Sequence, residues 1–167
     1  MTQRDIILRG AAYGAALAVV TILNYYVLGL LPIPLPLMLP AAAVAAGTLE
    51  GPRFGAGLGL VSGVIMATVG HTGLPVIPAL AAAGWGSGLL TQYVLRRDLV
   101  GHLLCTLGVL LLWEGWQVGS RLLAGTAGPL PLARVAGPEL LSSLICSLPV
   151  YWIGRLCCRG YGRIYHE

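Results

Sequence analysis

Residues 99–123, LVGHLLCTLGVLLLWEGWQVGSRLL, decide the fold. The stretch has a single acid, Glu114, and no charged residue before it. At about 1.5 Å of helical rise per residue it reaches across a hydrocarbon core of about 30 Å. A soluble helix of this length would need a polar face, and none is present. Five further apolar segments flank it, from about Ile6 to Leu31, Pro34 to Leu49, Phe54 to Gly70, Leu74 to Leu95 and Pro138 to Leu156. The sequence thus predicts an all-α, polytopic transmembrane helical bundle of about six spans, with residues 1–167 forming one integral membrane domain. The second and third segments are short and are separated only by Glu50-Gly51-Pro52-Arg53, so a re-entrant pair also fits their spacing.

The whole composition agrees. Of 167 residues, 57% are hydrophobic and 10% charged, and the mean hydropathy is +0.83. Soluble domains carry about a quarter of their residues as charged side chains. A cytosolic enzyme, a disordered chain and a disulfide-built secreted domain are therefore excluded. The net charge of +4 comes from ten basic residues, all arginine, against six acids. On a soluble protein that excess would raise the question of nucleic acid; here it sets orientation, and no nucleic-acid partner is expected.

With six helices, Arg4, Arg9, Arg53, Arg96, Arg97, Arg155, Arg159 and Arg163 share one side, and only Arg121 and Arg134 fall on the other. The positive-inside rule then places the N- and C-termini in the cytoplasm of a multi-pass protein of the bacterial inner membrane. The first apolar stretch is too long for a signal-peptide core and reads as a retained span. Residues 31–36, LPIPLP, are expected to be extended, and Ala124–Gly137 is expected to be the longest outer connection.

Small residues at four-residue spacing let helices approach closely in lipid. Gly55, Gly59 and Gly63 make such a row on the third segment, and Gly10, Gly14 and Ala18 make one on the first. Packing within the bundle explains most of them. The first segment, as a terminal helix, is the favoured face for a partner helix or a second copy of the chain.

Glu114 is the one acid well inside a predicted span, in Trp113-Glu114-Gly115-Trp116. An intramembrane carboxylate is expected to face the interior or a polar partner. It forms a candidate polar site with Trp113, Trp116 and Gln117, and Arg121 lies on roughly the same face. A hydrogen-bonded structural glutamate is the competing reading. His71 reads as an exposed turn residue and His102 as interfacial. Cys105 and Cys146 fall inside spans, while Cys157 and Cys158 read as free cytoplasmic thiols. No metal or cofactor is implied, and no phosphate loop, catalytic triad or paired carboxylates within one span appear. The expectation is a non-enzymatic protein.

Three consecutive stretches share one pattern: Glu50-Gly51-Pro52-Arg53, then residues 55–63 (GAGLGLVSG), then Gly70-His71-Thr72-Gly73-Leu74-Pro75. This resembles the rod shape-determining protein MreD family, bacterial proteins of five or six helices. The likeness continues through Arg96-Arg97, the Trp-bearing fifth segment and Pro149. Family members often carry an acid where this chain has Ala67. The resemblance implies a non-enzymatic membrane scaffold of the cell-wall elongation complex. It implies binding to a single-span MreC-like partner and, through it, to MreB filaments and cell-wall synthases. It also implies a fold similar to the substrate-binding subunits of energy-coupling-factor vitamin transporters. That class is the alternative reading, and a proton-coupled carrier is a third.

Overall fold

The computed structural model describes residues 3–30, 37–70, 72–125 and 129–161. Among them are six α-helices: α1 (Gln3–Ile22), α2 (Met38–Glu50), α3 (Pro52–Val69), α4 (Val76–Tyr93), α5 (Leu99–Leu123) and α6 (Pro129–Tyr161). Leu23–Val27 continues α1 as a π-helical turn, and Leu28–Leu30 forms a 3₁₀ turn. The architecture is a helical membrane bundle. Among the described residues four stretches are long and apolar enough to cross a bilayer, Gly10–Val27, Pro52–Val69, Leu99–Leu123 and Arg134–Cys158, and α4, the fourth expected span, is not one of them.

The second segment departs from expectation. It forms the 13-residue α2, about 20 Å long and too short to cross a bilayer unaided. Every residue from Met38 to Thr48 is buried, and so is Glu50. A helix apolar on all sides has no face to present to water, and the five alanines at 41–43, 45 and 46 let neighbours approach from every direction. All five other helices touch α2. Around it, α3 packs on α4, α4 on α5, α5 on α6, and α6 on α1. The ring closes where the Tyr13 ring of α1 meets Phe54 of α3 edge-on, centroids 4.9 Å apart.

Successive helices alternate in direction, as the short connections require. The start of α2 meets the middle of α6 through the Leu37 N–H, which donates to Ser143 Oγ at 2.8 Å. Its end, Glu50, accepts from Tyr13 midway along α1. The turn into α3 rests on Gly51, whose φ of 103° is open only to glycine at low cost, and on Pro52 at the first helical position. Arg53, Arg96, Arg97 and Arg155 thereby come to one end of the bundle, and Arg121 and Arg134 to the other. The Arg155 guanidinium lies 5.5 Å from the centre of the Trp152 ring, an arrangement suited to a membrane interface.

One expectation about connections changes, and others lie outside the described residues. Residues 31–36 lie outside the described residues, as does His71. The expected connection Ala124–Gly137 is helical from Pro129 onward, because prolines at 129 and 131 occupy the first turn, where no intrahelical N–H bond is needed. Pro138 and Pro149 are inside α6.

Candidate functional site

Gly55, Gly59 and Gly63 of α3 are spent inside the bundle, while Gly57 faces outward. A methyl group on Gly63 would meet Ile77 Cα at 2.7 Å, and one on Gly59 would meet the Leu80 carbonyl carbon at 2.8 Å. On Gly55 it would strike Gly84 of α4 and Gly47 of α2. Gly88 of α4 sits as closely on Pro52, with its Cα at 2.6 Å. Backbone thus lies on backbone across α2, α3 and α4. Gly10 and Gly14 differ: nothing comes within 4 Å of a methyl placed on either, and both are exposed together with Ala18. The first-segment row faces outward from α1.

Glu114 is buried at 7% exposure, in the half of α5 farther from the arginine-rich end. Among the described residues its Oε1 has no hydrogen-bond partner, and neither has the indole N–H of Trp113. Glu139 of α6 and Arg121 lie within electrostatic reach. Gln117 is half-buried. Trp116, by contrast, is 76% exposed, so the two indoles do not flank Glu114 as a pair. Three and four residues apart bring side chains to one helix face, and Trp116, two residues from Glu114, points away.

A line of buried polar groups continues from Glu114 along the contact between α5 and α6. On α5, His102 and Thr106 are fully buried one turn apart, with Thr106 Oγ1 3.4 Å from His102 Nε2. On α6, Ser143, Ser147 and Tyr151 are buried at the same four-residue spacing. The His102 ring lies 5.0 Å from the Tyr151 ring and meets the Ser147 backbone in a hydrogen bond of loose geometry. Ser143 Oγ accepts from Leu37 and donates to the Glu139 carbonyl at 2.6 Å, and Ser147 Oγ donates to the Leu144 carbonyl at 2.7 Å. Leu110, also fully buried, interrupts the α5 side between Thr106 and Glu114. His102 lies in the first turn of α5 and is enclosed by protein there, its ring packed against α6.

At the arginine-rich end, Glu50 is 2% exposed. The Tyr13 hydroxyl lies 3.2 Å from Glu50 Oε1 and 3.3 Å from the Gly154 carbonyl of α6. Glu114 is thus not alone: Glu50 and Glu139 also stand in the helical body. Glu50 reads from sequence as part of a loop. The signal that finds it is the alanine helix preceding it, which has no polar side, so whatever ends it is buried too. For His102 the signal is the matched spacing of His102 with Thr106 and of Ser143 with Ser147.

Beside Tyr13 is a crevice of about 20 Å³, lined by apolar groups of α1, α2, α3 and α6, among them Leu17, Ala45 and Val150. It has room for about one water but few polar groups to hold one. Cys105 and Cys158 are buried and Cys146 and Cys157 half-buried, and none of the four is in a disulfide. Among the described residues no three His, Cys, Asp or Glu side chains gather as a metal site. No family model, curated protein or solved structure matches the chain.

Proposed function

We propose that this chain is a non-enzymatic scaffold of the bacterial elongation complex, seated in the inner membrane with both ends in the cytosol. In this reading α1 receives the transmembrane helix of an MreC-like single-span protein, which links the bundle to MreB filaments and the cell-wall synthases. The observation that carries the reading is the division of labour among the small residues. Gly55, Gly59 and Gly63 are consumed by α4, whereas Gly10, Gly14 and Ala18 stand open on the helix at the edge of the ring. An open row of this kind suits the close approach by which helices associate in lipid. The sequence pattern from Glu50 to Pro75 supports the choice of complex, and the arginines gathered at one end support the orientation.

Co-purification tests it. A single-span, coiled-coil protein is expected to elute with the solubilised chain, and Gly14→Leu is expected to release it while leaving the bundle folded. Depletion in the native bacterium is expected to round or widen the cells. Rods of normal width after depletion would overturn the proposal, and a vitamin bound tightly through extraction would favour the transporter subunit instead.

A further inference from the structure

Arginines at the two ends of the bundle are answered differently. At the far end Arg121 stands within electrostatic reach of Glu114 and Glu139. At the arginine-rich end, Arg53, Arg96, Arg97 and Arg155 make no ion pair among the described residues. The acids nearest to them do not serve: Glu50 is 2% exposed and meets Tyr13, and Asp98 bridges to none of the four.

Three of these arginines converge where α5 begins and α6 ends. His102, in the first turn of α5, packs its ring 5.0 Å from Tyr151, which sets the register of the two helices. Arg155 is one turn beyond Tyr151, and Leu99 is about one turn before His102, so both stand at one level. A methyl on Gly101 would strike the Arg96 carbonyl, so the turn bearing Arg96 and Arg97 lies folded on the first turn of α5. Arg53 stands apart, at the start of α3, which packs chiefly on α2 and α4.

The surroundings suit an anion with an apolar tail. Arg155 is half-buried, its guanidinium 5.5 Å from the centre of the Trp152 ring. An indole engages the face of a guanidinium and leaves its in-plane N–H donors unsatisfied, in the fork geometry that fits a phosphate. Asp98, at the N-cap of α5, makes no side-chain cap bond, so the first-turn amides and the positive end of the helix dipole add to the same field. Toward the middle of the membrane, α5 exposes Val100 and Leu104 and α6 exposes Trp152 and Ile145. Basic sites between helices at the membrane rim take anionic headgroups, and an exposed apolar strip below them can carry the chain.

We propose that the Arg96–Arg97 turn, the first turn of α5 and Arg155 form a binding site for one anionic diacyl phospholipid of the phosphatidylglycerol class. The phosphate lies between the guanidinium groups, and an acyl chain follows the outward faces of α5 and α6 past Trp152 and Val100. A zwitterionic lipid brings its own cation to the same place and is held less well. The site rests on the membrane bundle alone and not on the scaffold reading, which uses the outer face of α1.

Native mass spectrometry tests it, on the full-length chain solubilised with equimolar phosphatidylglycerol and phosphatidylcholine of the same acyl chains. Wild type is expected to retain the anionic lipid about fivefold or more over the zwitterionic one, the ratio expected of a single basic group at a headgroup. The combined Arg96→Gln, Arg97→Gln and Arg155→Gln variant is expected to retain the two equally. Arg53→Gln, which removes a charge from the same end but outside the site, is expected to keep the preference. Equal retention by wild type would overturn the proposal. So would a loss in Arg53→Gln as large as in Arg155→Gln, because a diffuse field would then select the lipid. A second measurement stands even where the combined variant fails to fold. In phosphatidylcholine bilayers, a minor share of phosphatidylglycerol with brominated chains is expected to quench tryptophan emission more than the same share of brominated phosphatidylcholine. Trp152→Phe is expected to remove most of that excess, and Trp116→Phe to keep it. An excess undiminished in Trp152→Phe would place the lipid elsewhere and overturn the site.

Discussion

The group formed by α2, α3 and α4 and the pair formed by α5 and α6 hold helices together in lipid with opposite materials. In the first, glycine removes side chains so that backbones touch: Gly63 on Ile77, Gly88 on Pro52, Gly55 on Gly84. In the second, side chains remain, and serine, threonine, histidine and glutamate line the contact. The difference teaches where tolerance lies. A backbone-to-backbone contact fails at the first added methyl, because neither partner can turn aside. A polar contact loses one bond at a time and can be rescued by a neighbour or a water.

The largest effect should therefore come from the smallest change. Gly88→Ala places a methyl 2.6 Å from Pro52 Cα and is expected to destabilise the bundle by about 3 kcal/mol or more. It should appear as lost accumulation in the membrane and early unfolding when dodecyl sulfate is titrated into detergent micelles. If Gly88→Ala behaves as wild type, the first half of the comparison breaks. On the polar side, Ser143→Ala leaves the Leu37 N–H without its acceptor and should cost about 1–2 kcal/mol, read from the same titration. Tyr13→Phe keeps the edge-on contact with Phe54 and removes the hydroxyl from Glu50 and Gly154. A loss of about 0.5–1 kcal/mol is expected, within the range of single hydrogen bonds between membrane helices. A loss above that of Gly88→Ala would reverse the ranking of the two regions. The smallest effect is set by Gly108→Ala on the exposed side of α5, where a methyl meets nothing within 4 Å. It is expected to leave thermal stability unchanged or to raise it slightly through better helix propensity.

Much of this architecture is legible in the sequence because lipid imposes a length on helices. The segments at Phe54–Gly70 and Leu99–Leu123 fall within a residue or two of α3 and α5. The glycine row on α3 is equally readable, since a four-residue spacing on an apolar helix has few other uses. What the sequence hides is depth. Nothing local distinguishes α2, enclosed by five neighbours, from a short span facing lipid, because alanine suits both. Glu50 is missed for the same reason: beside Gly51 and Pro52 it looks like a turn residue, and only the enclosure of α2 buries it. Residues 129–137 look like a loop because prolines at 129 and 131 and glycine at 137 punctuate them, yet prolines in a first helical turn are compatible with a helix. The burial of His102 is hidden for a similar reason: its place in the first turn of α5 says nothing of the cover that Tyr151 of α6 supplies.

The brevity of α2 bears on how the molecule is made. A helix of about 20 Å cannot settle across a bilayer by partitioning alone, and its ends would drag unpaired peptide groups toward hydrocarbon. It must wait for company. As the chain emerges, α3 and α4 can close on it through Gly47 and Gly55, but the side facing α5 and α6 stays open until the last helix is synthesised. Insertion is thus an event of the whole chain, in which the first-half helices remain guests of the insertion machinery until α6 arrives. A chain stopped before α6 would present its central helix, with Glu50 at its tip, as a lesion for membrane proteases to find.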